Sequence, residues 1–314
     1  MSRIAAVTAG LVLVVSLNSA TKALGQILTN TSTGTSTEPE RQSEAKKNEP
    51  NWEGMHQSGN AAYLANVSNV QKEMDRFKGD AYWSDALRQL LGTEYSYVGR
   101  YQKALEFFDR QYGRKKKPAQ LKSTDQFEPC DAVAAILELA DKHRVIMINE
   151  AHHVPLHRAF TLQLLEGLYR KGFRYFAAET LNFDDKTLQT RGYPTLMTGG
   201  YTAEPVYADL VRTALNIGYT VTAYECEDSP SQQTDNPVPA MNVREQGQAK
   251  NLKERILDSD PNAKIIVHAG FAHIYKKPQV DKNGELHWMA LAFQEVLVYR
   301  PQTDLGRLWG RGVV

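Results

Sequence analysis

The chain has 314 residues, of which 42% are hydrophobic and 23% charged, and its formal net charge is +1. That length holds one large domain or two small ones, and the composition is that of an ordinary folded protein. Near-neutral charge removes the electrostatic case for nucleic acid or an anionic membrane surface as a partner.

In chain order, residues 1–25 have the form of a secretory signal. Arg3 supplies a short positive region, and Ile4 to Leu17 is mostly apolar but short for a bilayer span. Small residues follow, with cleavage expected after Ala20 or Gly25; an uncleaved anchor is the alternative. The expectation is an exported protein, periplasmic or secreted, that meets a membrane only through this segment. Residues 26–52 are rich in Thr, Ser, Glu, Lys and Gln, and predict a disordered linker. Helical periodicity without strand signals then predicts a helical cap or subdomain over 53–125. Tyr97 to Phe108 has a tetratricopeptide-like look, but one such unit cannot build a solenoid. The basic run Arg114 to Lys117, beside Pro118, reads as a solvated loop.

From residue 126 to 314 the pattern alternates helix and strand. Asp131 to Asp141 predicts a helix, and Val145 to Ile148 a strand. Pro155 to Arg170 predicts a helix with Leu156, Phe160, Leu164 and Leu168 on one stripe, ended by Gly172. Tyr175 to Ala178 is a second strand. Pro205 to Ile217 is a helix with Val206, Leu210 and Ala214 aligned, stopped by Gly218, and Thr220 to Tyr224 is a third strand. Val243 to Leu257 is a helix and Lys264 to Val267 a fourth strand. A helix from Trp288 to Glu295 and a strand from Val296 to Tyr299 close the domain. The expected fold class is therefore α/β, a mainly parallel central sheet flanked by helices.

Each of the four strands is apolar until its carboxyl end, where chemistry-bearing residues follow. The first gives Glu150 and His152, and the second Glu179. The third gives Glu225 and Glu227, and the fourth His268 and His273. Parallel strands put these ends on one edge, where α/β proteins bind ligands. The helix after the third strand adds Arg244, expected in its first turn. The bland alternatives are helix capping or surface pairing for Glu225, Glu227 and Asp228, and a structural role for His153, which Pro155 keeps off the helix. His56, His143 and His287 have no supporting pattern.

Neutral imidazoles at a strand end can ligate a metal or take a proton from water, and Arg244 can stabilise the oxyanion formed when water attacks a carbonyl. No G-x-S-x-G elbow, H-E-x-x-H helix or Walker loop is present. Asn149-Glu150-Ala151-His152-His153-Val154-Pro155-Leu156-His157 resembles the G-E-x-H-x-x-P-x-H motif of ChaN-like haem-binding proteins, with Asn149 in place of the usual Gly. Glu179 resembles their second acidic position. Gly270 to His273 resembles the late G-x-x-H of the TIKI and TraB group, and Arg244 to Leu252 is similar to the Arg-led helix start of erythromycin esterases. The resemblance covers about residues 130–300 and implies one shared α/β fold. In erythromycin esterases the key His falls at the equivalent of His153, so the choice between His152 and His153 stays open.

Three functions follow as expectations. The first is an exported hydrolase of an ester or peptide bond in a small-molecule or peptide substrate. Glu150, His152, Glu179, Arg244 and His273 would be its catalytic residues, with or without a divalent transition metal on His152, Glu179 and His273. The second, implied by the ChaN resemblance, is a haem or iron transport module with His152, His157 or a Tyr as the iron ligand. The third is an interaction protein with a degenerate site. The helical segment 56–113 is a candidate lid. Cys130 and Cys226 allow either one disulfide or two buried free thiols.

Overall fold

The computed structural model describes residues 49–55, 62–110, 130–230 and 236–298. The expected signal segment, the basic run, His56 and Tyr299 lie outside them, as does the linker up to residue 48. Among the described residues, no helix is long and apolar enough to cross a membrane. Main-chain contacts divide the chain into two units, one mostly helical and one α/β; residues 152–155 group with the helical unit.

The helical unit comprises α1 (Trp52–Met55), α2 (Ala62–Arg76), α3 (Ala81–Tyr97) and α4 (Tyr101–Arg110). The Asp80 side chain accepts the Trp83 amide and starts α3. Val70, Leu87, Leu90, Leu91 and Ala104 form its core. Gly92 lets α4 approach, since a Cβ there would lie 3.2 Å from the Ala104 carbonyl oxygen. The linker expectation is corrected at its end. The Asn51 amide donates to Glu73, and Arg76 donates to the Glu49 carbonyl, so residues 49–52 fold onto the helices.

The α/β unit runs α5 (Ala132–Ala140), β1 (Val145–Glu150), α6 (Pro155–Arg170), β2 (Tyr175–Ala178), the short α7 (Leu188–Arg191), α8 (Pro205–Ile217) and β3 (Thr220–Ala223). It continues with α9 (Val238–Leu252), which passes into a π-helical turn at Lys253–Leu257, then β4 (Ile265–Gly270), β5 (Gln279–Asp281), β6 (Gly284–Leu286) and α10 (Met289–Val298). The expected α/β class is observed: β1 to β4 form one all-parallel sheet flanked by helices.

Strand order is β1-β4-β2-β3. The last strand to be made is inserted between the first two, and it is buried along its whole length. Burial on both faces suits its unbroken apolar start, Ile265-Ile266-Val267. Ile265 and Val267 pack with Ala249, Leu252 and Phe293 into the main core.

Three boundaries differ from the sequence expectation. α9 starts five residues early, at Val238, because Pro239 is compatible with a first helical turn. Arg244 therefore sits in the second turn. Val296 to Val298 complete α10 rather than forming a strand; Met289, Ala292 and Phe293 bury one face of that helix, and packing overrides local β preference. The hairpin β5–β6 had no signal in the alternation of apolar residues. The inward face of α6 is also rotated from the expected stripe. Leu164, Leu165 and Leu168 are buried, but the stripe continues through Thr161 and Arg158, while Leu156 is 72% exposed. Both cysteines are free thiols, Cys130 exposed and Cys226 half-buried, so neither the disulfide nor a buried Cys130 is observed.

Candidate active site

Strand register explains which side chains meet. His268 of β4 pairs with Ile148 of β1 on one side and Ala178 of β2 on the other. Glu150 lies two residues beyond Ile148, Glu179 one beyond Ala178, and Glu225 two beyond the end of β3. The polar residues thus begin where the apolar ladder stops, along one carboxyl edge.

The first cluster is built around Arg244, on the inward stripe of α9 with Glu245, Gln248 and Leu252. Its guanidinium donates to Glu225 (Nη2 to Oε2 2.7 Å, Nε to Oε1 3.0 Å) and to Glu179 (Nη2 to Oε1 3.2 Å). Gln248 donates to Glu225 Oε1 at 2.8 Å, and Asn251 to the Glu225 carbonyl at 2.6 Å. Glu179 Oε2 accepts the Gly270 amide. His273 completes the group: its Nδ1 lies 2.7 Å from Glu245 Oε2 and its Nε2 3.2 Å from Glu179 Oε1.

Arg244 Nη1 also lies 3.5 Å from His273 Nε2, which would ask that nitrogen to accept. The closer carboxylates on both sides instead favour two donating nitrogens. Burial works against the charge on His273, but Glu245 and Glu179 outweigh it and push the imidazole up to about 10. Burial likewise opposes the charge on Arg244, and Glu225, Glu179 and Glu245 overcome it. Three carboxylates, a guanidinium and an imidazolium therefore share a region in which every residue is at most 8% exposed.

The second cluster is centred on Arg158, a residue with no exposed surface. Its Nε and Nη2 each donate to Glu150 at 2.6 Å, one to each carboxylate oxygen, and its Nη1 donates to Glu204 at 2.9 Å. The fork geometry suits this paired recognition. The rings of Tyr201 and Tyr207 lie 5.2 and 5.1 Å from the guanidinium carbon. His268 Nε2 lies 2.8 Å from Glu150 Oε2, and its Nδ1 lies 3.2 Å from Thr161 Oγ1. Glu204 caps α8, accepting the Val206 and Tyr207 amides.

Of the residues expected from sequence, Glu179, Arg244 and His273 meet directly, with Glu225 beside them. Glu150 belongs to the second cluster. Glu227 is exposed. His157 is half-buried, and its Nδ1 accepts the Ala151 amide at 2.9 Å. Burial lowers its pKa, with Glu150 pulling the other way. In the neutral ring, that acceptor role puts the proton on Nε2. His152 and His153 are both buried and lie in the segment grouped with the helical unit. There the His153 ring stacks on Phe108 of α4, with centroids 3.6 Å apart, which gives His153 a structural role. Asn149 ties the end of β1 to the loop after β4 through a 3.1 Å bond to the Phe271 carbonyl.

Sequence reasoning missed Arg158, Glu204 and Glu245. Signals for two of them existed. Arg158 stands three and six residues before Thr161 and Leu164, on the inward stripe, and Glu204 precedes a Pro at a helix start.

Two of the three residues expected to hold a metal, His273 and Glu179, do not fit one as they stand. Both nitrogens of His273 face carboxylates and carry protons, and both oxygens of Glu179 accept bonds. A haem iron on His157 would need a lone pair at Nε2, where the proton sits. Among the described residues, no three His, Cys, Asp or Glu side chains form a metal-ligand group.

No family model and no curated protein matches the chain. Solved structures similar to it include the type III effector HopBA1, at 14% identity over 44% of this chain and 71% of that one, with a TM-score of 0.35. A bacterial protein toxin is 16% identical over 80% of this chain and 51% of its own, with a TM-score of 0.42. RRSP, a MARTX toxin effector domain from Vibrio vulnificus, is 17% identical over 80% of this chain and 49% of its own, with a TM-score of 0.40. The chain thus spans about half the length of the last two.

Proposed function

We propose that the protein is an exported hydrolase that cleaves an ester or peptide bond without a metal. The carrying observation is the Arg244 cluster. Five ionic groups in a buried region cost desolvation energy that an apolar core of equal volume would not, so their concentration at the ligand-binding edge marks a site of chemistry. The TIKI, erythromycin esterase and ChaN-like resemblance supports the same edge.

The roles follow from the protonation states. His273 already carries its proton, which makes it a general acid rather than a ligand or a base. Arg244 is the fixed positive charge for the oxyanion. Glu179 and Glu245 orient the imidazolium. Glu179, the carboxylate shared by Arg244 and His273, is the base. Water loses a proton to Glu179 as its oxygen bonds to the carbonyl carbon. The tetrahedral oxyanion is balanced by Arg244. The bond to the leaving group then breaks as His273 donates its proton to that group.

The test is turnover of a panel of p-nitrophenyl esters and peptides by the full chain. His273→Ala and Glu179→Ala are expected to lower kcat/KM at least about 100-fold with far-UV circular dichroism unchanged, and dialysis against a chelator to leave wild-type activity intact. Undiminished activity in both variants sinks the assignment. A Soret band with hemin that is lost in His157→Ala favours the haem reading instead.

A further inference from the structure

We propose that Arg158 is a positioning residue for the hydrolytic site, acting on Glu150 directly and on Glu179 through Glu204 and Tyr207. The proposal rests on the hydrolase reading for its kinetic readout and on geometry for the rest.

The bonds form a continuous path. Arg158 Nη1 donates to Glu204 Oε2, and that same oxygen accepts the Tyr207 amide at 2.7 Å. Tyr207 is fully buried, and its hydroxyl donates to the main-chain carbonyl of Glu179 at 2.5 Å. That carbonyl belongs to the turn leaving β2, where Thr180 adopts a left-handed φ of 65°. A β-branched residue reaches that conformation only when its surroundings impose it. The Tyr207 hydroxyl on one side of Thr180 and the Gly200 amide on its own carbonyl, at 3.1 Å, supply two restraints. The other half of the Arg158 fork holds both oxygens of Glu150, so one guanidinium registers the ends of β1 and β2, which are not neighbours in the sheet.

A purely stabilising role explains this poorly. Buried ion pairs contribute little net stability compared with apolar side chains of the same volume, whereas their directional bonds fix geometry. A displacement of about 1 Å at a reacting group costs on the order of 100-fold in rate. Fixing the main chain under Glu179 aims its carboxylate at His273 and Arg244.

The experiment uses the full chain in two arms. Tyr207→Phe removes one hydroxyl and keeps the ring against Arg158; Arg158→Lys keeps the charge and loses the fork. Both should lower kcat, by about 10-fold and about 100-fold respectively, with KM within about 2-fold. In the second arm, 15N-histidine spectra of Tyr207→Phe should show shifted His273 imidazole resonances although the substitution is remote from that ring. Should Arg158→Lys fail to fold, Glu204→Gln replaces it, since its one amide oxygen still accepts one of the two α8 amides while the ion pair is lost. Unchanged His273 resonances together with unchanged kcat overturn the proposal. If wild-type protein turns over no substrate, the hydrolase reading fails, and the spectra alone decide: shifted resonances support the positioning path and unshifted ones reject it.

Discussion

The two buried arginine clusters use the same parts for different ends. Each has a guanidinium spanning carboxylates from separate elements, with an imidazole on one of those carboxylates. Around Arg158 the environment is closed. The arginine has no exposed surface, its fork is filled by Glu150 and Glu204, and two tyrosine rings lie within cation–π reach. Around Arg244 the same chemistry reaches toward solvent, the arginine being 8% exposed, and a third carboxylate holds His273 as an imidazolium. Saturation and closure make a clamp; the cluster whose arginine keeps some exposed surface is the one proposed to receive a substrate.

The largest test of that contrast is to remove each arginine. Arg158→Met strands two buried carboxylates that water cannot reach, and should cost about 3–5 kcal/mol. Arg244→Met leaves its carboxylates beside the His273 imidazolium, which still offsets part of their charge, so it should cost less, about 1–3 kcal/mol, while abolishing turnover. Urea unfolding followed by circular dichroism measures both, and equal losses would erase the distinction.

A second test uses pH. The folded chain holds the His273 proton to about pH 10, against an ordinary 6.5, so folding favours the protonated ring. Its contribution to stability is complete below about pH 6.5 and is lost as pH rises through about 10. Wild-type Tm should therefore fall relative to His273→Asn across that window. Parallel curves would mean that the ring is neutral and not the acid proposed.

The smallest effect is at the turn between the clusters. Thr180→Gly relieves a left-handed β-branched residue at the entropic cost of glycine, for a net gain of about 0.5–1 kcal/mol. If Tyr207 fixes Glu179, kcat should fall as the turn loosens even though Tm rises. A gain in both would show that the strain does no positioning.

The Arg244 cluster was more legible in sequence than the Arg158 cluster, for a physical reason. Glu179, Glu225 and His273 stand at or just beyond the ends of apolar strand runs, and an apolar run with an abrupt polar end is a local signal. Arg158 and Glu245 sit within helices, where a charged residue on one face looks solvated unless its stripe is known to within one position. The Leu156 stripe was such a near miss: shifting it to Arg158, Thr161 and Leu164 exchanges an exposed leucine for a buried guanidinium.

What the sequence by itself determined is the four strands of the sheet with the main helices between them, their parallel direction and the set of polar residues that end the strands, because apolar runs and helix-stop residues are properties of short stretches. Only the tertiary structure decided the order β1-β4-β2-β3. Inserting β4 between β1 and β2 puts His268 against Glu150 and the Gly270 amide against Glu179. No local pattern encodes that choice, because it depends on which pair of strands can bury Ile265 to Val267 on both faces. The same insertion parts β1 from β2, and Arg158 with Tyr207 then spans the gap.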